Sequence, residues 1–133
     1  MASAEGTRAA KVSDRIREEL MDMLIRGEVH DPNVAGCVIS AVNVTRDLSL
    51  ARVFVRLLEP DPTPARQVRL VRALGRAQPF VRRELARRLA LRRAPDLRFA
   101  WDDVADRATR VEELLRDVSL EKAPPTGTKG GAE

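Results

Sequence analysis

Residues 38–55 read Val38-Ile39-Ser40-Ala41-Val42-Asn43-Val44-Thr45-Arg46-Asp47-Leu48-Ser49-Leu50-Ala51-Arg52-Val53-Phe54-Val55. Two apolar-rich runs flank Thr45–Leu48, a connection too short for a crossover, so the runs pair as antiparallel strands. In the first, Val38, Ser40, Val42 and Val44 fall on one face. In the second, at about 49–57, Ala51, Val53, Val55 and Leu57 alternate with Leu50, Arg52, Phe54 and Arg56. A lone hairpin is marginal in water and needs a packed cover. The flanking sequence supplies one.

Upstream, Val12, Ile16, Leu20, Met23 and Leu24 recur at helical spacing over about 9–26, and Gly27 is a suitable stop. Asp31–Gly36 is loop. Downstream, the breaker cluster Glu59–Pro64 also starts a helix, with Thr63 as N-cap and Pro64 at the first helical position. That helix runs to about Gln78. Pro79 lacks an amide proton and its ring clashes with the preceding turn, so the spacing predicts a kink or a fresh helix there, ending near Leu91. After Pro95, Leu97, Phe99 and Trp101 alternate as a third strand. A short helix over Arg107–Val118 carries Val111, Leu114 and Leu115. The order α-β-β-α-α-β-α predicts a small α+β domain over 8–118, with helices on one face of a three-stranded sheet. Residues 1–7 and the Pro/Gly-rich 119–133 lack periodic apolar residues and read as disordered ends.

Length and composition exclude several classes. The 133 residues suit one domain. No run of about 18 apolar residues exists to span a membrane, and no apolar stretch follows the N-terminus as in a secretory signal, so a cytoplasmic protein is expected. One cysteine, Cys37, and one histidine, His30, leave neither a disulfide nor a Cys/His zinc site. His30 sits in Val29-His30-Asp31-Pro32, a turn without a neighbouring nucleophile. The expectation is a protein with no cofactor, no metal and no catalytic residue. Asp102, Asp103 and Asp106 are the one candidate for a divalent metal and nuclease chemistry. Solvation of a loop near a helix N-terminus is the preferred account of them.

The formal charge is +4, yet 21 of the 24 basic residues are arginine, and their placement is uneven. Arg66–Arg93 holds ten arginines and one acid, Glu84, giving +9 there and −5 over the remainder. On a wheel at about 100° per residue, Leu70, Val71, Leu74 and Ala77 share one side, with Arg69, Arg72 and Arg76 opposite. Beyond the proline, Val81, Leu85 and Leu89 define a buried side; Arg83 and Arg87 point away from it, and Arg82 and Arg88 flank it. A merely solvated face mixes signs and pairs Glu with Lys or Arg. This one repels itself, as a surface for a polyanion would. Arg69, Arg72, Arg76, Arg82, Arg83, Arg87 and Arg88 are therefore the candidate RNA-binding residues, about a kink at Ala77, Gln78 and Pro79. The aromatic residues are Phe54, Phe80, Phe99 and Trp101, with no tyrosine. Phe99 and Trp101 share a strand face but are assigned to the core, so recognition rests on phosphate and RNA shape. An acidic protein partner is the competing reading of the same face.

KH-type RNA-binding domains carry a GxxG loop between two helices. The literal match here, Gly127-Thr-Lys-Gly130, lies in the tail, and the place of such a loop is taken by Arg76-Ala77-Gln78-Pro79-Phe80. That helix-kink-helix, the hairpin block with Thr45-Arg46-Asp47-Leu48 at its turn, the opening Arg8-x-x-Lys11-Val12 and Asp31-Pro32 together resemble bacterial ribosome-binding factor A. So do Pro95-x-Leu97-x-Phe99 and Arg107-x-x-Arg110-Val111-x-x-Leu114-Leu115, in one collinear run over about 8–116. Departures are Pro79 where the family commonly has glycine, and Val104 and Ala108 in place of Ser and Gly. The resemblance implies a type-II KH-like domain acting as a monomeric assembly factor on the small (30S) ribosomal subunit. It implies help with late maturation of 16S rRNA, including its 5′ end region and under cold stress. Small-subunit proteins and an assembly GTPase are implied as further partners, and Arg8, Lys11, Arg46 and Asp47 as secondary contacts.

Overall fold

The computed structural model describes residues 4–103. Helix α1 (Ala4–Ile25) is followed by a single 3-10 turn (Pro32–Val34), β1 (Cys37–Val44), β2 (Leu50–Leu57), helix α2 (Pro64–Arg88) and β3 (Asp96–Trp101). The sheet order is β1-β2-β3. The hairpin is antiparallel, as expected, and β3 returns through α2 to lie parallel to the central β2. Residues 4–7, expected to be part of a disordered end, form the first turn of α1 instead. The helix that follows β3 in the sequence reading, at 107–118, and the expected disordered tail at 119–133 lie outside the described residues.

One core joins both helices to one face of the sheet. Ile16, Leu20 and Met23 from α1 meet Ile39 and Val42 of β1, Ala51, Val53 and Val55 of β2, Leu97 of β3, and Leu70, Leu74, Val81 and Leu85 of α2. Each large apolar side chain removed from water there contributes about 1.5–3 kcal/mol before entropy is counted. Phe99 and Trp101 pack partly buried against this core, in line with the sequence reading.

Two further expectations are corrected. The face assigned to β1 holds only in its second half, because the pairing register slips between Ile39 and Ala41. Ser40 is the extra residue of a β-bulge, so Ile39 and Val42 are buried together and Val38 stays only partly covered. The bulge is pinned by the Ser40 hydroxyl, which lies 3.1 Å from the Phe54 carbonyl and 2.6 Å from Asp102 Oδ2. Neither a polar Ser at that position nor the local alternation announces the slip.

The second correction concerns Pro79. Helix α2 runs unbroken through it, so the two helices expected either side are one element. Proline removes the amide that would donate to the Gly75 carbonyl. Both residues are exposed, so water can satisfy that carbonyl. A side chain at Gly75 would meet nothing within 4 Å. The start of the helix is as read: Thr63 Oγ1 accepts from the Arg66 amide at 3.1 Å, with Pro64 next. Its end is earlier than Leu91. Ala90 takes φ 55°, and the Leu91 amide reaches back to the Ala86 carbonyl at 2.9 Å, a Schellman-type close.

Candidate nucleic-acid interface

Helix α2 sorts the arginines into three groups by what each side chain does. Arg66, Arg82 and Arg88 hold the fold. Arg66 donates to the carbonyls of Asn33 (2.7 Å) and Ala35 (3.0 Å) and pairs with Glu59, clamping the loop before β1. Arg82 donates to the carbonyls of Pro95 (3.1 Å) and Ala94 (2.9 Å) and pairs with Asp96, fixing the entry to β3. Arg88 lies among four carboxylates, with Glu19 at 3.0 Å, Asp22 at 2.8 Å, Glu28 at 2.7 Å and Glu84 at 3.5 Å. Its side chain is only 14% exposed. Arg82 and Arg88 were expected to meet RNA. Their donors are engaged inside the protein because they flank the buried stripe and reach the neighbouring elements.

The second group is exposed but paired. Arg76 bonds Asp31 at 3.0 Å, and Arg87 bonds Glu84 at 2.7 Å. Both carboxyls sit below the usual range. For Asp31 the Asn33 amide is the main cause and Arg76 the next; for Glu84 it is Arg87. Both guanidinium groups keep free donors toward solvent.

Arg69, Arg72 and Arg83 form the third group, exposed and without a carboxylate partner among the described residues. At about 100° per residue, Arg69, Arg72, Arg76, Arg83 and Arg87 fall within about 60° of arc, along about 27 Å of helix. The arrangement is a single outward stripe of guanidinium groups, opposite to Leu70, Leu74, Val81 and Leu85. It can grip successive phosphates bidentately.

Beside Pro79 the kink residues have separate tasks. Ala77 packs partly buried against the core, and the Gln78 side-chain carbonyl accepts the Leu97 amide at 2.9 Å. Gln78 thus covers the outer edge of β3, a structural task that its place in the kink did not reveal.

The secondary candidates also divide. Asp47 Oδ1 accepts from the Thr45 hydroxyl, the Ser49 amide and the Ser49 hydroxyl, and these bonds hold its carboxyl below the usual range. Asp47 therefore builds the hairpin turn, while Arg46 beside it is exposed. Arg8 and Lys11 are exposed on α1. Arg8 joins Arg82, Arg92, Arg93, Asp47 and Asp96 around a concavity of about 490 Å³. Arg92 and Arg93 follow the helix end and are not among the sequence candidates. The Arg-Arg pair after that end was the available signal.

Cys37 and Asp102 have structural roles. Burial pushes the Cys37 thiol up to about 12, leaving it a small apolar core residue. Asp102 is 5% exposed, holds the bulge hydroxyl, and its amide donates to the Val55 carbonyl at 2.8 Å. Among the described residues no three His, Cys, Asp or Glu side chains are grouped to hold a metal ion, and Asp106 lies outside them. Asp102→Ala should therefore act on stability, by about 1–2 kcal/mol from the lost charge-assisted bond, read in a urea titration. A variant of unchanged stability would count against this bulge anchor. No helix among the described residues is long and apolar enough to cross a membrane.

Comparison with known proteins agrees with this architecture. A Desulforamulus reducens ribosome-binding factor A is 35% identical over 119 residues, covering 90% of this chain and 96% of that protein. One from Magnetococcus marinus is 42% identical over 118 residues, covering 87% and 92%. The solution structure of a Thermotoga maritima protein described as a putative ribosome binding factor A superposes with a TM-score of 0.62 at 31% identity, over 75% of this chain and 90% of that one. The crystal structure of ribosome-binding factor A from Thermus thermophilus gives 0.57 at 27% identity, over 69% and 93%. These neighbours share the KH-like α+β fold, in which α2, with Pro79 inside it, stands where a GxxG loop would be. The family model for ribosome-binding factor A matches residues 8–115, and with that span the chain belongs to the ribosome-binding factor A family.

Proposed function

We propose that this protein is a ribosome assembly factor that binds the small (30S) subunit through rRNA phosphates. Its task in this reading is late maturation of 16S rRNA, including the 5′ end region, in the cytoplasm and as a monomer. The observation that carries the reading is the stripe of Arg69, Arg72 and Arg83, exposed and without acidic partners among the described residues, extended by Arg76 and Arg87. Three unneutralised guanidinium groups on one helix face cost repulsion in the free protein, and a phosphate backbone relieves it. Family membership and relatives named for ribosome binding support the ribosome as the source of that backbone.

The protein is expected to act by occupancy: it neutralises phosphates, holds an immature RNA arrangement, and leaves when the surface it holds is remodelled. Sedimentation with purified small subunits and with assembled ribosomes tests this across a salt series. Retention on small subunits alone is expected, with log affinity falling linearly in log salt. Equal retention on assembled ribosomes, or a flat salt response, would sink the proposal.

A further inference from the structure

The helices cover one face of the sheet, and the other face carries its own pattern. On the central strand β2, Arg52 and Arg56 are exposed either side of Phe54. Phe54 is outside the apolar cluster that takes in Phe80, Phe99 and Trp101. Its register partners are Ala41 on β1 and Ala100 on β3. The bulge at Ser40 creates the first of these pairings, and the Ser40 hydroxyl beside the Phe54 carbonyl fixes the backbone there. Phe54 is partly buried, and a ring between two alanines has lower walls than one between leucines.

The charges around it point the same way. Arg98 on β3 is the register partner of Arg52, so two like charges stand directly opposite, an arrangement that destabilises a sheet. Arg52, Arg56 and Arg98 have no carboxylate partner among the described residues. Asp96, two residues before Arg98, is engaged by Arg82 instead. Residues i and i±2 on a strand stand about 7 Å apart, so the two β2 arginines bracket the ring at a reach suited to phosphates flanking one base. An aromatic residue on a central strand among cationic side chains is the physical pattern of a stacking platform for single-stranded nucleic acid.

We infer that this face, which the described helices leave uncovered, is a second RNA-contact surface, on which Phe54 stacks a base of a single-stranded segment while Arg52, Arg56 and Arg98 hold its phosphates. The inference rests on the RNA-binding reading above and adds a second side to it. The domain would then grip RNA from opposite sides, backbone on α2 and an unpaired segment on the sheet.

The probe is a ten-nucleotide oligouridylate. In a chain carrying both Phe54→Trp and Trp101→Phe, the only tryptophan reports from the platform. Its fluorescence should be quenched saturably, with the same affinity that filter binding gives. Phe54→Leu, which keeps apolar bulk without the ring, should weaken oligouridylate binding about 5- to 100-fold. Arg52→Gln with Arg98→Gln, both exposed and independent of the core, should lower the single-strand salt slope by about 1.4. Oligouridylate binding that leaves the platform fluorescence silent and the slope unchanged would overturn the inference while leaving the α2 reading intact. A fluorescence change that answers to a small-subunit protein and not to RNA would overturn it as well. Failure of the unmodified protein to bind either oligouridylate or small subunits would remove both readings.

Discussion

Arg88→Met should lower the stability of the domain by about 2–3 kcal/mol, the scale expected when a largely buried cation is taken from hydrogen-bonded carboxylates. For a domain of this size that is roughly 10–15 °C in Tm. Arg88 joins Glu19 and Asp22 on α1, Glu28 after it, and Glu84 on its own helix. Methionine fills much of the volume, so the loss isolates the charge. Two of the carboxylates have lowered pKa values in the folded state: Arg88 is the main cause for Asp22, and for Glu84 it adds to Arg87. A depressed folded pKa contributes stability above the ordinary carboxylate range and loses it as pH falls through the folded value. In the variant Arg88's share of that contribution is gone, Arg26 and Arg87 keep theirs, and four acids repel one another. The difference from the unmodified protein should therefore be widest near pH 7 and close as pH approaches about 4. Thermal unfolding at several pH values checks this. A gap that stays constant with pH would show that Arg88 acts through packing alone.

The same residue marks the limit of what the sequence makes legible. Periodicity locates the two-residue alternation of β2, the caps of α2 and the apolar stripes, since each depends on neighbours a few positions away. It also separates Arg69, Arg72 and Arg83 from the core. A wheel sets Arg82 and Arg88 beside the buried stripe, but it contains no other element and so does not show what they meet. Only the approach of α1 and of the 94–96 segment decides that these two guanidinium groups are enclosed. The β1 bulge escapes for a related reason. It is a property of two strands in register, stabilised by Asp102, which lies 62 residues from Ser40. Of the kink or fresh helix expected at Pro79, the fresh helix does not form: the local rule is sound, yet an exposed position and a glycine four residues earlier let the helix continue.

Arg72→Glu with Arg83→Glu should reduce affinity for small subunits about 30- to 150-fold near physiological salt, at about 1–1.5 kcal/mol per lost phosphate contact. The log–log salt slope should fall by about 2, one for each phosphate no longer neutralised. Stability should hold or rise slightly, because both residues are exposed, neither has an acidic partner among the described residues, and an acid in the stripe relieves its repulsion. Arg82→Glu is the informative contrast. It has the same charge change per residue on the same helix, but it removes the donors to Ala94 and Pro95 and sets a carboxylate against their carbonyls and Asp96. That variant should unfold more easily, and any loss of subunit association should track the fraction unfolded. The two sets together separate RNA contact from scaffold: the first moves affinity and slope at constant Tm, the second moves Tm first. Retained association in the double variant would remove the α2 stripe from the interface and leave the Arg8, Arg92 and Arg93 concavity and the sheet face to account for binding.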